Sequence, residues 1–371
     1  MPFDAFRYAH AHRREVAWLS QNTNHLVPPE VVRGALEEAI RERRYEGYPY
    51  APGEPELIDL ATRDLGIPGE TAFLTGGGTE SLYMITRALL AAGDEVVASD
   101  PSYLILHRFV ELGGARTRNV PIYAPPYRLT ADRVAEAIGP KTRMILLIDP
   151  LNPLGTGYPR EEVRAIAEIA HDRGLFLLND VTYRDFADQP TLAAEFAPEE
   201  TVTVWSVSKN CGLAGLRLGG FVARPELSKR IARFITNDLG VNILAQVAAI
   251  AGLRTKSQWI GDVRRQTREN HARIRATVAG VEGTTLPVYP SQANMGVIDI
   301  AATGLAPEAV QQEMLEHHGV FVRAGNYLSP AFGHRFVRVS FSNPSADIDR
   351  FAAAFPATIR SLAAPAAAPR A

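Results

Sequence analysis

The chain has 371 residues, of which 46% are hydrophobic and 22% are charged, and its formal net charge is −2. These values are typical of a folded protein with more than one domain, and they give no reason to expect a nucleic acid or an anionic membrane as partner. Cys211 is the only cysteine in the sequence, which excludes an intrachain disulfide and a cysteine zinc cluster.

The N-terminal stretch lacks the continuous apolar core of a secretion signal. No uncharged apolar run approaches the roughly 20 residues that a membrane helix needs. A single thiol is compatible with a reducing compartment. We therefore predict a cytoplasmic protein that binds no membrane, no nucleic acid and no metal.

Short apolar runs alternate with helical patterns through the middle of the chain. The runs are rich in Val, Ile, Leu and Phe, as are the buried strands of a mostly parallel sheet. We predict such strands at 95–100, 143–149, 174–180, 201–208 and 218–223. Helical patterns between them include 79–93 and 160–174, the second ending on Gly174 as a C-cap. This alternation predicts an α/β fold with a mostly parallel sheet flanked by helices.

The pattern changes in the last third of the chain. It becomes helical after about residue 225 and returns to strands at 293–301, 320–325 and 336–342, which predicts a smaller α+β domain. We predict an N-terminal arm that forms part of the small domain (1–45), a large domain (46–285), a small C-terminal domain (286–362) and a disordered Ala/Pro-rich tail (363–371).

Polar residues at the carboxyl ends of the predicted strands are candidate ligand contacts, because ligands bind at that edge of a parallel sheet. Three glycines and Thr79 open a helix, which favours either a phosphate cradle or a flexible turn. Asn152 lies between two prolines and either donates to a ligand or forms a plain turn. Asp180 ends a strand three residues before Tyr183, so it either caps a helix or pairs with a protonated ring nitrogen.

The stretch "SVSKNCGLAGLRLGG" (206–220) places Lys209 among serines, glycines and small apolar residues. An amine nucleophile must be partly unprotonated near neutral pH, so it needs desolvation or cationic neighbours. Small neighbours allow a ligand to approach Lys209, and Arg217 can hold phosphate oxygens in its planar fork.

This stretch resembles the lysine signature of the fold-type I pyridoxal-phosphate enzymes, the aminotransferase class I/II family. The other motifs follow in that family's order over about residues 15–360, and the chain is similar to histidinol-phosphate aminotransferases. The resemblance implies a fold-type I α/β architecture whose large domain binds pyridoxal 5′-phosphate. A binding protein that kept only the scaffold is the alternative, and the presence of Lys209, Asp180 and Arg338 argues against it.

The resemblance also implies a role for each matching residue. Lys209 would form an aldimine with the cofactor and move a proton at the substrate's α-carbon. Asp180 would pair with the pyridinium nitrogen and keep it protonated. Asn152 and Tyr183 would hydrogen-bond the phenolic oxygen of the ring. Tyr103 would stack on the ring, unless it is an ordinary core tyrosine.

Further matches concern the phosphate and the substrate. The cofactor phosphate would be held by Gly77, Gly78, Thr79, Ser206, Ser208 and Arg217. Tyr48 matches a tyrosine that reaches the phosphate of a neighbouring subunit, which implies a homodimer, although Tyr50 is an alternative for that role. Arg338 matches the arginine that binds the α-carboxylate of an amino acid substrate, and a surface arginine in a strand is the alternative.

The segment 19–32 departs from the family pattern. It corresponds to a segment that often reads Asn-Glu-Asn-Pro-Tyr-Gly-Pro and that lies over the substrate. Here His25 replaces the proline, and Val27 replaces a glycine whose backbone commonly helps to hold the substrate carboxylate. His25 is therefore either a catalytic acid–base group or a histidine of a surface loop.

A second departure bears on the reaction. Val181 follows Asp180 where an acidic residue is commoner, and the run 183–186 resembles pyridoxal-phosphate enzymes that act on arginine in antibiotic pathways. The cofactor motifs do not separate those enzymes from transaminases. We expect an aminotransferase that moves an amino group from an L-amino acid to a 2-oxo acid. The alternative is a dioxygen-using oxidase, or a cyclase, of L-arginine or a hydroxylated arginine.

Overall fold

The computed structural model describes residues 3–67 and 71–364 of the chain. The strands are β1 (Ala17–Trp18), β2 (Ala72–Thr75), β3 (Glu95–Asp100), β4 (Arg116–Pro121), β5 (Thr142–Ile148), β6 (Phe176–Asp180), β7 (Thr201–Ser206), β8 (Gly219–Val222), β9 (Met295–Asp299), β10 (Val320–Phe321), β11 (Arg323–Ala324) and β12 (Phe336–Ser340). The α-helices are α1 (Ala5–Ala11), α2 (Glu30–Arg41), α3 (Pro55–Leu65), α4 (Gly78–Leu89), α5 (Leu104–Leu112), α6 (Ala131–Ala137), α7 (Arg160–Arg173), α8 (Val207–Asn210), α9 (Pro225–Ala232), α10 (Ile243–Ala279), α11 (Pro307–His318) and α12 (Ser345–Ala363).

A seven-stranded sheet lies at the centre of the large domain, in the order β2-β8-β7-β6-β5-β3-β4. β8 is antiparallel to both of its neighbours, and the other pairs are parallel. Nearly every residue of β3, β5 and β6 is buried, because both faces of the sheet are covered, and this explains their unbroken apolar runs. The mostly parallel α/β fold predicted from the sequence is confirmed.

Two ends of the predicted elements show how local chemistry sets the boundaries. Gly174 is the left-handed C-cap of α7, with φ of 61°, and its amide bonds back to the last turn of the helix, as predicted. The strand predicted at 201–208 is too long by two residues. β7 ends at Ser206, whose hydroxyl accepts a hydrogen bond from the Ser208 amide and so begins α8.

The small domain is built from both ends of the chain. β12 lies between β9 and β11 in an antiparallel sheet, and β1 pairs in parallel with β10. The segment after β1 then continues alongside β12, because the Ser340 amide bonds to the Leu19 carbonyl and the His25 amide to the Ser342 carbonyl. The N-terminal segment is therefore held on the small domain while it crosses the mouth of the large one.

One long helix connects the two regions. α10 packs against α2 and α3 in its first half and also against α12. The domain boundaries at 45/46 and 285/286 stay predictions. Of the predicted tail, Ala363 ends α12, and residues 365–371 lie outside the described residues. Within the described ranges no helix combines the length and the apolar character needed to span a membrane, and the cytoplasmic location stays a prediction.

Candidate active site

A cavity of about 220 Å³ opens at the carboxyl edge of the central sheet. It gathers residues from the ends of β6 and β7, the start of α4, the N-terminal segment and β12. The predicted site residues that line it are Gly78, Thr79, Tyr103, Asn152, Asp180, Tyr183, Ser206, Ser208, Lys209, Arg217 and Arg338. Residues that lie far apart in the sequence are thus brought together in one cavity.

Lys209 lies in the short helix α8, directly after the strand β7, and its side chain enters the cavity. The ammonium nitrogen donates to the Gln21 carbonyl oxygen at 2.9 Å. Desolvation, together with the positive charges of Arg338 and Arg217, lowers the pKa of Lys209 to about 7. A substantial fraction of the amine is therefore unprotonated near neutral pH, as a nucleophile or proton acceptor requires.

Asp180 is a buried carboxylate at the end of β6. One of its oxygens accepts from the Thr182 amide at 3.0 Å, and burial raises the pKa of Asp180. Among the described residues, no lysine, arginine or histidine forms an ion pair with it. A buried carboxylate that lacks a cationic partner is suited to a ligand that carries a proton on a ring nitrogen.

Arg338 is also buried and faces the cavity from β12. Its Nη1 donates to Asn152 Oδ1 at 2.8 Å and its Nη2 to the Ser20 carbonyl at 2.5 Å, while its buried Nε has no partner among the described residues. Desolvation lowers the pKa of Arg338 to about 10. No carboxylate of the described chain pairs with this guanidinium, so it can bind the carboxylate of a ligand.

The start of α4 forms a cradle opposite Lys209. Gly77 precedes the helix with φ of 99°, and a Cβ there would lie 2.5 Å from Arg217 Nη2, so the position requires glycine. Thr79, Ser208 and Arg217 line the cavity together with Gly78 and Ser206, and a Cβ built at Gly78 would lie 3.7 Å from the Ser206 Cβ atom. A helix N-terminus with a guanidinium beside it is a favourable place for a phosphate.

These observations fit pyridoxal phosphate. The cavity offers an amine of low pKa, a buried carboxylate without a cationic partner, a glycine cradle that a Cβ would fill, and a guanidinium with an unpartnered nitrogen. The individual roles assigned to these residues stay predictions.

Three predicted residues do not line this cavity: Gly77, which precedes α4 at its edge, Tyr48 and His25. Tyr48 is 80% exposed and Tyr50 is 62% exposed, as befits a residue that would act on a neighbouring subunit. The His25 side chain is exposed, its Nε2 lies 2.7 Å from Thr23 Oγ1, and it does not line the cavity. Partial desolvation lowers the pKa of His25, and the nearby Lys209 charge acts in the same direction, while Asp347 opposes them. The acid–base role of His25 stays a prediction.

Sequence reasoning missed the inner side of the N-terminal segment. Gln21 and Asn22 line the cavity, and Asn22 donates from Nδ2 to the Tyr183 hydroxyl at 3.1 Å. Asn22 is 1% exposed and has a left-handed φ of 53°. Asparagine tolerates that conformation better than most residues do. The available signal was the position of this asparagine in the segment 19–32, which departs from the family pattern.

A cluster of buried charged side chains connects two segments of the site to α10. Lys256 of α10 contacts Asp64 Oδ1 at 2.6 Å and Asp185 Oδ1 at 2.5 Å, and Arg184 contacts Asp64 Oδ2 at 3.3 Å. Lys256 and Arg184 hold the pKa of Asp185 below its usual range although burial opposes them. Asp185 also accepts a hydrogen bond from the side chain of Asn210, the residue after Lys209. The cluster therefore ties the segment after Tyr183 and the turn after Lys209 to α10.

Comparison with known proteins gives consistent matches over nearly the whole chain. The family model described as aminotransferase class I and II matches residues 14–355. A histidinol-phosphate aminotransferase of Moorella thermoacetica is 30% identical over 335 residues, which cover 88% of this chain and 81% of that protein. An arginine–pyruvate transaminase of Pseudomonas aeruginosa is 28% identical over 310 residues, which cover 82% of this chain and 75% of that protein. The crystal structure of an aminotransferase from Mycobacterium tuberculosis has a TM-score of 0.84 and 25% identity, and the match covers 96% of each chain.

Proposed function

The chain belongs to the aminotransferase class I and II family of pyridoxal-phosphate-dependent enzymes, and on that premise we propose that it moves an amino group from an L-amino acid to a 2-oxo acid. The observation that carries the proposal is the position of Lys209. Its amine has a pKa lowered to about 7 and lies in one cavity with the Arg338 guanidinium and the Asp180 carboxylate. This combination suits amino acid chemistry, which needs a proton acceptor, a cation that binds the substrate's carboxylate and an anion that balances the charge of the cofactor ring.

When bound, pyridoxal phosphate supplies a carbonyl that takes up the substrate's amino group and a ring that withdraws electrons from its α-carbon. Lys209 would then accept the α-proton on Nζ and would give a proton back at a later step of the transfer. Its low pKa keeps enough of the amine unprotonated to do so near neutral pH. The Gln21 carbonyl, which accepts from Nζ, orients the amine between these events.

Arg338 orients the substrate. A carboxylate that binds this guanidinium would use the unpartnered Nε together with one Nη, and the hydrogen bond that Nη1 donates to Asn152 Oδ1 keeps the fork in place. Asp180 holds the positive charge of the ring nitrogen, because burial makes an unpaired carboxylate costly and favours a cationic partner. Gln21 and Asn22 of the N-terminal segment line one side of the cavity.

We also propose a homodimer. Several large apolar side chains are exposed on two stretches of the surface: Ile40, Tyr45, Tyr48, Tyr50, Phe234, Ile235 and Leu239. The two stretches are neighbours, because a Cβ built at Gly240 would lie 3.0 Å from the Ala51 Cα atom. An exposed apolar patch of this kind favours a protein interface. Tyr48 lies within it, in agreement with its predicted role on a partner subunit.

The oxidase or cyclase alternative receives no support from the relatives named above, which are aminotransferases by name. One of them is an arginine–pyruvate transaminase, so an arginine substrate and a transamination reaction are compatible. The resemblance of the run 183–186 to arginine enzymes therefore gives no separate reason for dioxygen chemistry.

The test is a single-substrate incubation. The purified holoenzyme is mixed under air with individual L-amino acids, without any 2-oxo acid, and oxygen uptake and product are followed. An aminotransferase should form about one equivalent of 2-oxo acid per active site and consume no oxygen, and an added 2-oxo acid should restore turnover. Sustained oxygen consumption would refute the proposal. The Lys209→Ala variant is the control, since it should lose the reaction.

A further inference from the structure

Asn22 is held in place by its backbone. Its amide donates to Ser340 Oγ at 2.9 Å, and its carbonyl accepts from Asn294 Nδ2 at 3.0 Å. The residue is buried and left-handed. Because these backbone bonds fix the segment, the side-chain amide is not needed to anchor it and can contact residues of the cavity.

Two contacts define the orientation of that side-chain amide. The Ser340 hydroxyl accepts a hydrogen bond from the Asn22 backbone and donates its single hydrogen to Asn22 Oδ1, 3.1 Å away. The other end of the amide, Nδ2, faces the Tyr183 hydroxyl and donates to it at 3.1 Å.

This orientation determines what Tyr183 can do. A tyrosine hydroxyl carries one hydrogen, and when it accepts from Asn22 its own hydrogen points elsewhere. Tyr183 is buried, and desolvation raises the pKa of its phenol, so it stays protonated. The Tyr183 hydroxyl lines the cavity, and its hydrogen is available to a ligand there.

We propose that Asn22 is a positioning residue that commits the Tyr183 hydroxyl to donate into the cavity, toward the phenolic oxygen of the cofactor. The inference rests on the proposed function, in which Tyr183 contacts that oxygen. A hydrogen bond to an anionic oxygen favours the ionised form. Asn22 thereby lowers the pH at which the bound cofactor loses the proton that it shares with Lys209.

The experiment is a pH titration of the cofactor's absorption band in the holoenzyme without substrate. Asn22→Asp keeps the shape of the side chain and the left-handed backbone, but it presents an acceptor to Tyr183 and so turns the hydroxyl hydrogen away from the cofactor. The midpoint should rise by about one pH unit, a roughly tenfold change in the proton equilibrium. Asn22→Gly, which also tolerates the backbone conformation, should raise it by a smaller amount because it only removes the donor.

The added negative charge in Asn22→Asp could raise the midpoint by itself, so each variant is repeated with Tyr183→Phe. If Asn22 acts through the hydroxyl, the shift with Asn22→Gly should vanish and that with Asn22→Asp should shrink by more than half. Equal shifts in both backgrounds, or no shift with either variant, would overturn the inference.

The outcome also separates this inference from the proposed function. If Tyr183→Phe shifts the midpoint but the Asn22 variants do not, only the role of Asn22 is wrong. If Tyr183→Phe itself leaves the midpoint unchanged, the contact of Tyr183 with the cofactor is wrong as well, and the inference falls with it. If Lys209→Ala retains turnover with an L-amino acid and a 2-oxo acid, the proposed function itself fails. Asn294→Ala removes the hydrogen bond to the Asn22 carbonyl but leaves the Asn22 side-chain amide unchanged. It should lower the melting temperature and leave the midpoint in place. A shift as large as that of Asn22→Gly would show that Asn22 has a merely structural role.

Discussion

Lys256→Met is the sharpest test of the buried charge cluster. The side chain keeps its length but loses its charge, so the cluster changes from two positive and two negative charges to a net charge of −1. Lys256 is only 7% exposed and contacts two carboxylates, so water cannot replace it. Removing one partner of a buried ion pair costs about 3–5 kcal/mol, and we expect a loss of that size in the free energy of unfolding near neutral pH.

The loss should depend on pH in a defined direction. In the wild type, Lys256 and Arg184 hold the pKa of Asp185 low, so this carboxyl contributes stability above about pH 4, and the contribution disappears as the pH falls through the lowered pKa. In the variant, the Lys256 charge no longer opposes the effect of burial, so the pKa of Asp185 rises. The carboxyl can then take up a proton at mildly acidic pH, which relieves the unpaired charge. The difference in stability between variant and wild type should therefore be smaller near pH 5.5 than near pH 7.5.

The assay is urea unfolding of both holoenzymes at the two pH values, followed by fluorescence and circular dichroism. Asp185→Asn and the double variant complete a double-mutant cycle, and the double variant should lose less than the sum of the single losses. A loss below about 1 kcal/mol, equal at both pH values and additive in the cycle, would show that the cluster contributes nothing beyond ordinary surface ion pairs.

Four further predictions concern the cavity itself. Arg338→Lys, which retains the charge but loses the fork, should lower kcat/KM for the amino acid by about 10- to 100-fold, mainly through KM, with an unchanged cofactor spectrum in steady-state and absorbance measurements. Gly77→Ala should weaken cofactor binding in titrations of the apoenzyme, because its Cβ would lie 2.5 Å from Arg217; Gly174→Ala, which is also left-handed but has no atom within 4 Å of the new Cβ, should leave cofactor affinity unchanged. In the apoenzyme, the rate at which an amine-reactive reagent labels Lys209 should rise with pH around a midpoint of about 7, as read by mass spectrometry, and Arg338→Met should raise that midpoint because it removes a positive charge. His25→Ala should lower the rate of the half-reaction if His25 is an acid–base group, and an unchanged rate in stopped-flow measurements would assign it to the surface loop.

The parts of the fold that were predictable lie on regular, buried elements. β3 was predicted at its observed limits, because a strand covered on both faces is apolar throughout. β4 was not predicted, because it is an edge strand whose residues are mostly exposed and polar. The helical patterns after residue 240 belong to one helix, α10. Its continuity is not evident from the sequence, because its buried face changes partners along its length and gives no single periodic stripe.

The same distinction applies to the site. Lys209, Asp180 and Arg217 could be found because they stand at strand ends among small residues, where local sequence reveals function. Asn22 and Lys256 could not, because their importance comes from contacts with residues more than 60 positions away. Tyr48 belongs to neither group, since its predicted partner lies on another subunit.

The way in which the small domain is assembled limits how it could be exchanged for that of a relative. Its hydrophobic core contains Leu19 from the N-terminal segment and Ile274 from the end of α10, as well as residues of β9, β12 and α12. A chimera that exchanges only residues 286–364 for those of a relative would pack a foreign half-core against these native side chains, and against Ala17 and Val278 beside them. Exchanging the domain therefore requires three separate segments to be replaced together: the N-terminal strand region, the last turns of α10 and the C-terminal segment.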